Sequence, residues 1–301
     1  MIEIKSVTKS YGDYIAIDDI NITVEDSSVL GLAGFNGSGK TTLLNVCAGI
    51  FKPDEGSVLL DGKDAFDNDN ERVNLFYLSD GFYFPISASI KTAAKFYANY
   101  FPNFDFKILN SVLDIFGLDI KKNVRSLSKG MKRQASLAIA FATKPKYLLI
   151  DETFDGLDPI ARDYAKKMIA REVSDFNRTV ILSSHNLTDI ETICDSVALI
   201  DAGQLILHKT IDDIIKGFRK YQVIFSDKPI DLSPLETFAT LPEVSGKLIT
   251  FISSFEEEEV KEKLKRLSDS DILYFETVDL TLDEIFTLEV NRVKETKGGK
   301  E

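Results

Sequence analysis

Apolar and polar residues alternate at the start of the chain, in segments 2–8 and 20–25. Such alternation is typical of half-buried strands, so the pattern predicts two strands joined through Tyr11-Gly12-Asp13. Continuous apolar runs of strand length predict strands that are covered on both faces. These predicted buried strands are 29–33, 147–150 and 179–184, and segment 73–78 is a further predicted strand.

Helical patterns separate these runs, which indicates an α/β fold with a mostly parallel sheet. One predicted helix follows residue 41, and helical structure is expected for much of the aromatic segment 82–116. A further helix is predicted to begin at Ser128 and end at Pro145, and another to span 160–173. Segments 196–200 and 204–207 are expected to form a hairpin around Asp201-Ala202-Gly203.

The pattern changes after residue 210 and predicts a small α+β extension over 211–301. Its expected strands are 221–225, 247–252 and 272–276, with a solvated helix at 256–267 between the last two. Thr281 and Glu284 form a predicted capping box that opens a final helix through Val290, and the end from Lys294 is expected to fray.

Composition limits the possible partners and surroundings of this chain. A net charge of −12 and a pI near 4.8 argue against a broad basic face for nucleic acid, so we expect no nucleic-acid partner. Cys47 and Cys194 have no metal-ligand spacing and are expected to be buried thiols of a reducing compartment. No run reaches the ~18 apolar residues of a membrane span, so we expect a soluble, cytoplasmic protein.

The segment Gly34-Phe35-Asn36-Gly37-Ser38-Gly39-Lys40-Thr41 fits the phosphate-loop pattern between a predicted strand and a predicted helix. Glycines are needed because backbone N–H groups must approach an anion closely. The pattern predicts that Lys40 neutralises phosphate charge and that the Thr41 hydroxyl binds Mg²⁺, with Thr42 opening the helix. An ordinary Gly/Ser turn with an exposed lysine is the alternative, but the flanking strand and helix disfavour it.

Further candidate residues lie at the ends of predicted elements. Asp151 and Glu152 end a buried strand, His185 ends another, and Ser128 and Gly130 open a helix where an anion can bind. Each of these signals is weak alone, because Asp-Glu after an apolar strand and a lone histidine are common.

Taken in order, the motifs resemble those of the ATP-binding cassette (ABC) ATPases over residues 2 to about 210. Leu127-Ser128-Lys129-Gly130-Met131 resembles the signature loop, Ile150-Asp151-Glu152 the Walker B end and Phe154-Asp155-Gly156-Leu157-Asp158 the loop that crosses the dimer. The resemblance implies a P-loop NTPase cassette at 1–210, with an antiparallel β subdomain and a helical subdomain at about 82–140.

The resemblance also implies a role for each candidate residue. Tyr11 would stack on adenine, and His185 would be the switch histidine that contacts the γ phosphate. By their chemistry, Asp151 would orient the Mg²⁺ shell and Glu152 would polarise the attacking water. Since one signature loop closes over the phosphate loop of another cassette, the resemblance implies a dimer with the same chain or a paralogue.

Some positions depart from the family pattern. Lys129 and Met131 replace a glycine and a glutamine, and such a signature resembles a branch of exporters for peptides, antibiotics or lipids. Thr153 stands where the family usually has proline. Asp80 aligns with a glutamine that reaches Mg²⁺ and water; a carboxylate can bind the cation but cannot donate an amide hydrogen bond.

The sequence therefore predicts an ATP-hydrolysing subunit of an ABC exporter. It would drive a separate integral-membrane permease through a groove formed by residues 79–105, at the inner face of the cell membrane. The alternative is an ABC ATPase without a permease that remodels a macromolecular assembly. A nucleotide-binding regulatory module without turnover is a third reading, which the presence of Glu152 and His185 disfavours.

Overall fold

The computed structural model describes residues 1–66, 68, 72–226, 235, 237–267 and 271–298. The chain divides into two compact units, Met1–His208 and Lys209–Glu301, next to the boundary expected at residue 210.

The strands of the first unit, including the one that reaches the boundary, are β1 (Ile2–Tyr11), β2 (Tyr14–Val24), β3 (Val29–Ala33), β4 (Glu55–Leu60), β5 (Lys63–Asp64), β6 (Leu75–Leu78), β7 (Tyr147–Asp151), β8 (Thr179–Ser184), β9 (Ser196–Asp201) and β10 (Gln204–Thr210). Its helices are α1 (Lys40–Cys47), α2 (Ile90–Ala98), α3 (Phe106–Ile115), α4 (Lys129–Thr143), α5 (Pro159–Phe176) and α6 (Leu187–Ile193).

A six-stranded sheet in the order β10-β9-β3-β8-β7-β6 forms the centre of this unit. β3 pairs in parallel with β8 and β9, and β7 pairs in parallel with β6 and β8. The continuous apolar runs of β3, β7 and β8 predicted such buried parallel strands, whereas the pairing of β9 with β3 was not predicted. Every residue of β3, β7 and β8 is buried. Because these strands run in the same direction, the residues that follow them meet at one edge of the sheet.

A second, antiparallel sheet in the order β2-β1-β4-β5 accompanies the central one. β2 is longer than the predicted strand 20–25, and β1 reaches Tyr11, so the hairpin turn is Gly12-Asp13. One apolar core joins the two sheets and α1, and it includes Ile4, Ile22, Leu32, Leu44 and Leu149. Both cysteines are buried, as expected.

Helices α2 and α3 carry the aromatic segment, but the predicted helical stretch is interrupted. Side chains of Ser89 and Asp105 cap the two helices, so residues before Ser89 lie outside them. The rings of Phe76, Phe82 and Tyr97 contact one another, whereas Tyr83 and Tyr100 are exposed. The aromatic cluster therefore contributes both core and surface.

The second unit contains α7 (Ile211–Gly217), β11 (Arg219–Phe225), β12 (Thr240–Ser245), β13 (Leu248–Ser253), α8 (Glu257–Leu267), β14 (Ile272–Val278) and α9 (Leu282–Gly298). Its sheet has the order β12-β13-β11-β14. The capping box is confirmed, since Thr281 and Glu284 exchange hydrogen bonds. α9 continues past the predicted Val290 to Gly298, and the expected fraying falls partly on 299–301, outside the described residues.

Two elements of this unit, α7 and β12, were absent from the sequence-based prediction. Among the described helices, none has the length and apolarity required to cross a bilayer.

Candidate functional site

The phosphate-loop segment connects β3 to α1 in the predicted arrangement. Gly39 has a φ of 111°, and a Cβ there would lie 2.6 Å from the carbonyl oxygen of Ala16. A Cβ on Gly34, whose φ is 155°, would lie 2.3 Å from the carbonyl oxygen of Ile200. Neither position tolerates a side chain, because each glycine packs closely against the backbone of another segment at the N-terminus of α1.

Lys40 is almost fully buried in this loop. Its Nζ donates hydrogen bonds to the carbonyl oxygens of Gly34 at 2.8 Å and Phe35 at 3.1 Å. The hydroxyl oxygen of Ser38 is buried and has no hydrogen-bond partner among the described residues. A buried ammonium and an unpaired hydroxyl in a glycine-rich loop are suited to binding phosphate oxygens, so the residues present fit a nucleotide.

A cleft beside the loop is lined by nine residues, which are Tyr11, Tyr14, Ala16, Gly37, Gly39, Lys40, Thr41, Thr42 and Glu152. The structure thus places Tyr11 with the phosphate loop, and the Tyr11 ring packs edge-on against Phe51 at 6.0 Å. Tyr11 is 46% exposed, which leaves part of the ring available for stacking. Phe35 is exposed on the loop, and neither it nor Asn36 lines this cleft.

Asp151 is buried at the end of β7, and hydroxyl groups of both neighbouring strands hold its carboxylate. Ser183 donates to Oδ1 at 2.6 Å, and Tyr77 donates to Oδ2 at 3.2 Å. Burial, and next the charge of Asp151, raise the pKa of Tyr77 well above its usual value, so its phenol remains a donor at neutral pH. The two hydroxyls fix the orientation of a carboxylate suited to a hydrated Mg²⁺.

Glu152 directly follows Asp151 and has a φ of 45°, a backbone conformation that residues other than glycine rarely adopt. Its backbone N–H donates to the hydroxyl and the carbonyl oxygen of Ser183, which stabilises this turn. The turn directs the carboxylate to the phosphate loop, where Oε1 lies 3.6 Å from Lys40 Nζ. The residue predicted to activate water is therefore next to the residue predicted to bind phosphate.

His185 follows β8 and is half-exposed. Its Nδ1 lies 3.2 Å from a carboxylate oxygen of Asp155, in the loop between β7 and α5. A carboxylate oxygen of Glu152, a carboxylate oxygen of Asp155 and a ring nitrogen of His185 all lie within 4.8 Å of one another. The two predicted catalytic residues, Glu152 and His185, are therefore neighbours.

Asp80 lines a groove together with Thr41, Asp151 and Glu152. The three residues predicted to bind metal thus share one groove, but the Asp80 carboxylate is paired with the guanidinium of Arg133. This hydrogen bond lowers the pKa of Asp80 below its usual value, which keeps the side chain ionised. As placed here, Asp80 contacts a cation of the protein.

Ser128 caps α4 by accepting a hydrogen bond from Met131 N, and Gly130 lies close to Gly156, since a Cβ on Gly130 would be 2.9 Å from its carbonyl oxygen. Asp158 caps α5 and also accepts a hydrogen bond from Gln134 at 2.9 Å. Ser128, Gly130 and Asp158 do not line the cleft beside Lys40.

The structure thus assembles two separate groups of predicted site residues. One group combines the phosphate loop, Asp151, Glu152 and His185, and it can bind a triphosphate and direct water at it. The other group, at the start of α4, offers a second helix N-terminus for an anion. The residues of the second group do not line the cleft beside Lys40.

The sequence did not predict four residues that line the cleft or contact the candidate site residues. They are Tyr14, Arg133, Asp155 and Ser183. Parallel register contained a signal for Ser183, because it pairs with Asp151 across β7 and β8. The pairing of Arg133 with Asp80 joins positions 53 apart in sequence and had no local signal.

The chain is similar to several known proteins. The profile of a family described as ABC transporter matches residues 17–155. The bacitracin transport ATP-binding protein BcrA of Bacillus licheniformis is 33% identical over 228 residues, which cover 73% of each chain. The ABC transporter ATP-binding protein YtrB of Bacillus subtilis (strain 168) is 27% identical over 286 residues, 95% of this chain and 97% of the relative.

The fold is also similar to solved structures. An ATP binding subunit of an ABC transporter superposes with a TM-score of 0.67 and 24% identity, covering 71% of this chain and 91% of the other. This likeness shows the fold of the first unit.

Proposed function

This chain belongs to the family of ABC transporter ATP-binding proteins, and we propose that it hydrolyses ATP in the cleft between the phosphate loop and Glu152. ATP binding and hydrolysis are properties of the family. The observation that supports this location best is the position of the Glu152 carboxylate, 3.6 Å from Lys40 Nζ.

The residues of the cleft divide the work of hydrolysis. Lys40 is held against its own loop carbonyls and is placed to exchange those hydrogen bonds for phosphate oxygens. Glu152 accepts a proton from the attacking water, and His185 holds the water and the γ phosphate in line. Tyr11 stacks on the adenine ring.

Thr41 and Asp151 are the proposed ligands of Mg²⁺, with Asp80 a third candidate. When bound, Mg²⁺ neutralises the charge of the phosphates. The hydroxyl groups of Tyr77 and Ser183 hold the carboxylate of Asp151, which lines the same groove as Thr41.

A second cassette completes the site in this proposal. Ser128 and Gly130 of one subunit would close over the triphosphate of the other, because within one subunit neither residue lines the cleft beside Lys40. The partner is the same chain or a paralogue.

The family also works with membrane permease components, and we propose that this chain drives an integral-membrane permease from the cytoplasmic side. The proposed docking region is the groove of residues 79–105, where Tyr83, Ile86 and Tyr100 are exposed. Export of a peptide, antibiotic or lipid is supported by the resemblance of Leu127–Met131 to the signature of exporters and by similarity to a relative named for bacitracin transport. The alternative of an assembly-remodelling ATPase has no comparable support.

Glu152→Gln tests the catalytic assignment. Because the amide cannot accept the proton of water, we expect kcat to fall by at least about 100-fold while ATP binding persists. Glu262→Gln, an exposed carboxylate on α8, is the matched control and should turn over normally. Normal phosphate release by Glu152→Gln would refute the role of Glu152.

Lys40→Ala tests the phosphate loop in the same assay. We expect the affinity for a fluorescent ATP analogue to drop below detection, since the buried ammonium is lost. An unchanged dissociation constant would contradict the proposed location of the whole site.

The permease and the direction of transport need a membrane assay. The tagged chain should copurify with an integral-membrane protein from detergent, and the pair should accumulate substrate in inside-out vesicles when ATP is added outside. Bacitracin is the first probe. Uptake only into right-side-out vesicles loaded with ATP would indicate import.

A further inference from the structure

Asp155 contacts His185 and has no role in the function proposed above. His185 extends from the end of β8 and is 49% exposed, whereas the Asp155 side chain is 25% exposed. The 3.2 Å distance between His185 Nδ1 and Asp155 Oδ2 is that of a hydrogen bond. One imidazole nitrogen is therefore already bound within the chain.

An ionised carboxylate can only accept hydrogen bonds. The nitrogen that faces it must therefore carry the proton, and in a neutral imidazole the other nitrogen is then an acceptor. Asp155 thus decides the chemical character of Nε2, the nitrogen left free for a ligand.

We infer that Asp155 is a positioning residue that holds His185 in the Nδ1–H form and so sets how Nε2 meets the γ phosphate. The inference rests on the proposed role of His185 at that phosphate. Since phosphate oxygens are acceptors, Nε2 can bond to them only as a donor, with both ring nitrogens protonated. His185 would then lie as an imidazolium between two anions, the Asp155 carboxylate and the phosphate.

The charged groups next to His185 in the described part of the chain are consistent with this arrangement. Besides Asp155, the carboxylate of Glu152 also lies within 4.8 Å of the His185 ring nitrogen. The ammonium of Lys40 lies 3.6 Å from Oε1 of Glu152. A divalent cation on Glu152, Asp155 and His185 is the rival explanation of the cluster. The Lys40 ammonium disfavours a bound cation, because this positive charge lies beside Glu152, one of the three possible metal ligands.

The first experiment observes the proton directly. The chain has two histidines, so ¹⁵N-histidine labelling gives two imidazoles, and His208→Gln identifies the signals of His185. In the full chain with EDTA and without nucleotide, at a pH where the ring is neutral, we expect Nδ1 to show the shift and attached proton of an N–H. In Asp155→Ala this signal should move to Nε2.

Two results of this experiment would overturn the inference. One is an Nε2–H form in the wild-type chain, and the other is an unchanged Nδ1–H form in Asp155→Ala. A wild-type spectrum that changes when EDTA is added would support a bound cation instead. If Asp155→Ala fails to fold, Asp155→Leu replaces it, because leucine is similar in shape to aspartate and cannot accept a hydrogen bond from Nδ1–H.

The second experiment measures turnover. In Asp155→Ala, the carboxylate no longer orients His185, so kcat should fall by about tenfold while KM for ATP stays near the wild-type value. In a His185→Ala background, the Asp155 substitution should have no further effect, as expected for a residue that acts through His185. Additive losses would contradict this.

Asp163→Ala is the matched control, since Asp163 is an exposed carboxylate on α5 that pairs with Lys167. It should leave both the spectrum and kcat unchanged. The inference and the proposed function fail separately. If Glu152→Gln is inactive and His185 is Nε2–H, only the role of Asp155 is lost.

Discussion

At the scale of single residues, Asp80 lines two grooves, and its carboxylate can bind a partner in only one of them at a time. One groove contains Thr41, Asp151 and Glu152, and the other contains Lys129 and Arg133. In the structure its carboxylate is bound to Arg133. If Asp80 also binds Mg²⁺ during turnover, Arg133 competes with the metal for the same oxygen atoms.

This competition predicts opposite effects of two substitutions. Arg133→Gln should lower the Mg²⁺ concentration that gives half-maximal ATPase activity, and Asp80→Asn should raise it. Because Asp80 is half-exposed and a pair of this kind contributes about 1 kcal/mol or less, each shift should be at most about fivefold. The measurement is an Mg²⁺ titration at fixed ATP, and no shift with Asp80→Asn would remove Asp80 from the metal ligands.

The hydroxyl of Ser183 holds two parts of the active site together. It donates to Asp151 and accepts a hydrogen bond from Glu152 N. We predict that Ser183→Ala lowers kcat and also lowers the free energy of unfolding by about 2 kcal/mol, because it removes a bond to a buried charge.

The adjacent Ser184→Ala is the control for Ser183. Its hydroxyl accepts from Asn186 N, with no contact to Asp151. Denaturant unfolding and steady-state ATPase assays compare the two variants. Equal kcat values would mean that Ser183 does not orient the carboxylate.

At the scale of elements, the sequence was sufficient for the segments whose structure is decided locally. The phosphate loop is a contiguous pattern between a buried strand and a helix, and Thr281–Glu284 is a local capping box. Fully apolar runs identified β3, β7 and β8 because both faces of each strand are covered. These features needed no knowledge of distant residues.

Elements that depend on tertiary pairing could not be predicted. β12 contains Pro242, is exposed throughout and, among the described strands, pairs with β13 alone, so neither propensity nor alternation indicated a strand. The pairs Asp80–Arg133 and Asp155–His185 depend on which strand ends are neighbours in the sheet. α7 did have a local signal, the Thr210 cap on Asp213 N, which was overlooked.

The phosphate loop yields a prediction that compares two glycines of one element. Gly37 has a φ of 81°, and a Cβ added there would have nothing within 4 Å, whereas a Cβ on Gly39 would contact Ala16 O at 2.6 Å. Gly37→Ala should cost about 1–2 kcal/mol of unfolding free energy from backbone strain alone. Gly39→Ala adds a steric clash and should cost more.

Thermal unfolding of both variants checks this difference. ATP affinity should also fall further for Gly39→Ala, because the clash displaces the start of α1. Equal stability of the two variants would show that the loop relaxes around the added methyl group.

At the scale of the whole molecule, Ser128 does not line the cleft that contains Lys40, which predicts that a complete site contains two chains. Lys40→Ala leaves an intact signature loop beside a defective phosphate loop. Ser128→Asp does the reverse, since an aspartate still caps α4 but repels phosphate. Each variant alone should be inactive, and a mixture of the two should regain activity.

The size of this recovery depends on the symmetry of the assembly. If identical chains pair at random, half of the dimers contain one of each variant, and each of these has one intact site. Activity should then reach roughly a quarter of the wild-type value. Phosphate release across a series of mixing ratios measures it, with a maximum expected at equal amounts. No recovery at any ratio, with wild-type chains active alone, would mean that a single chain completes its own site.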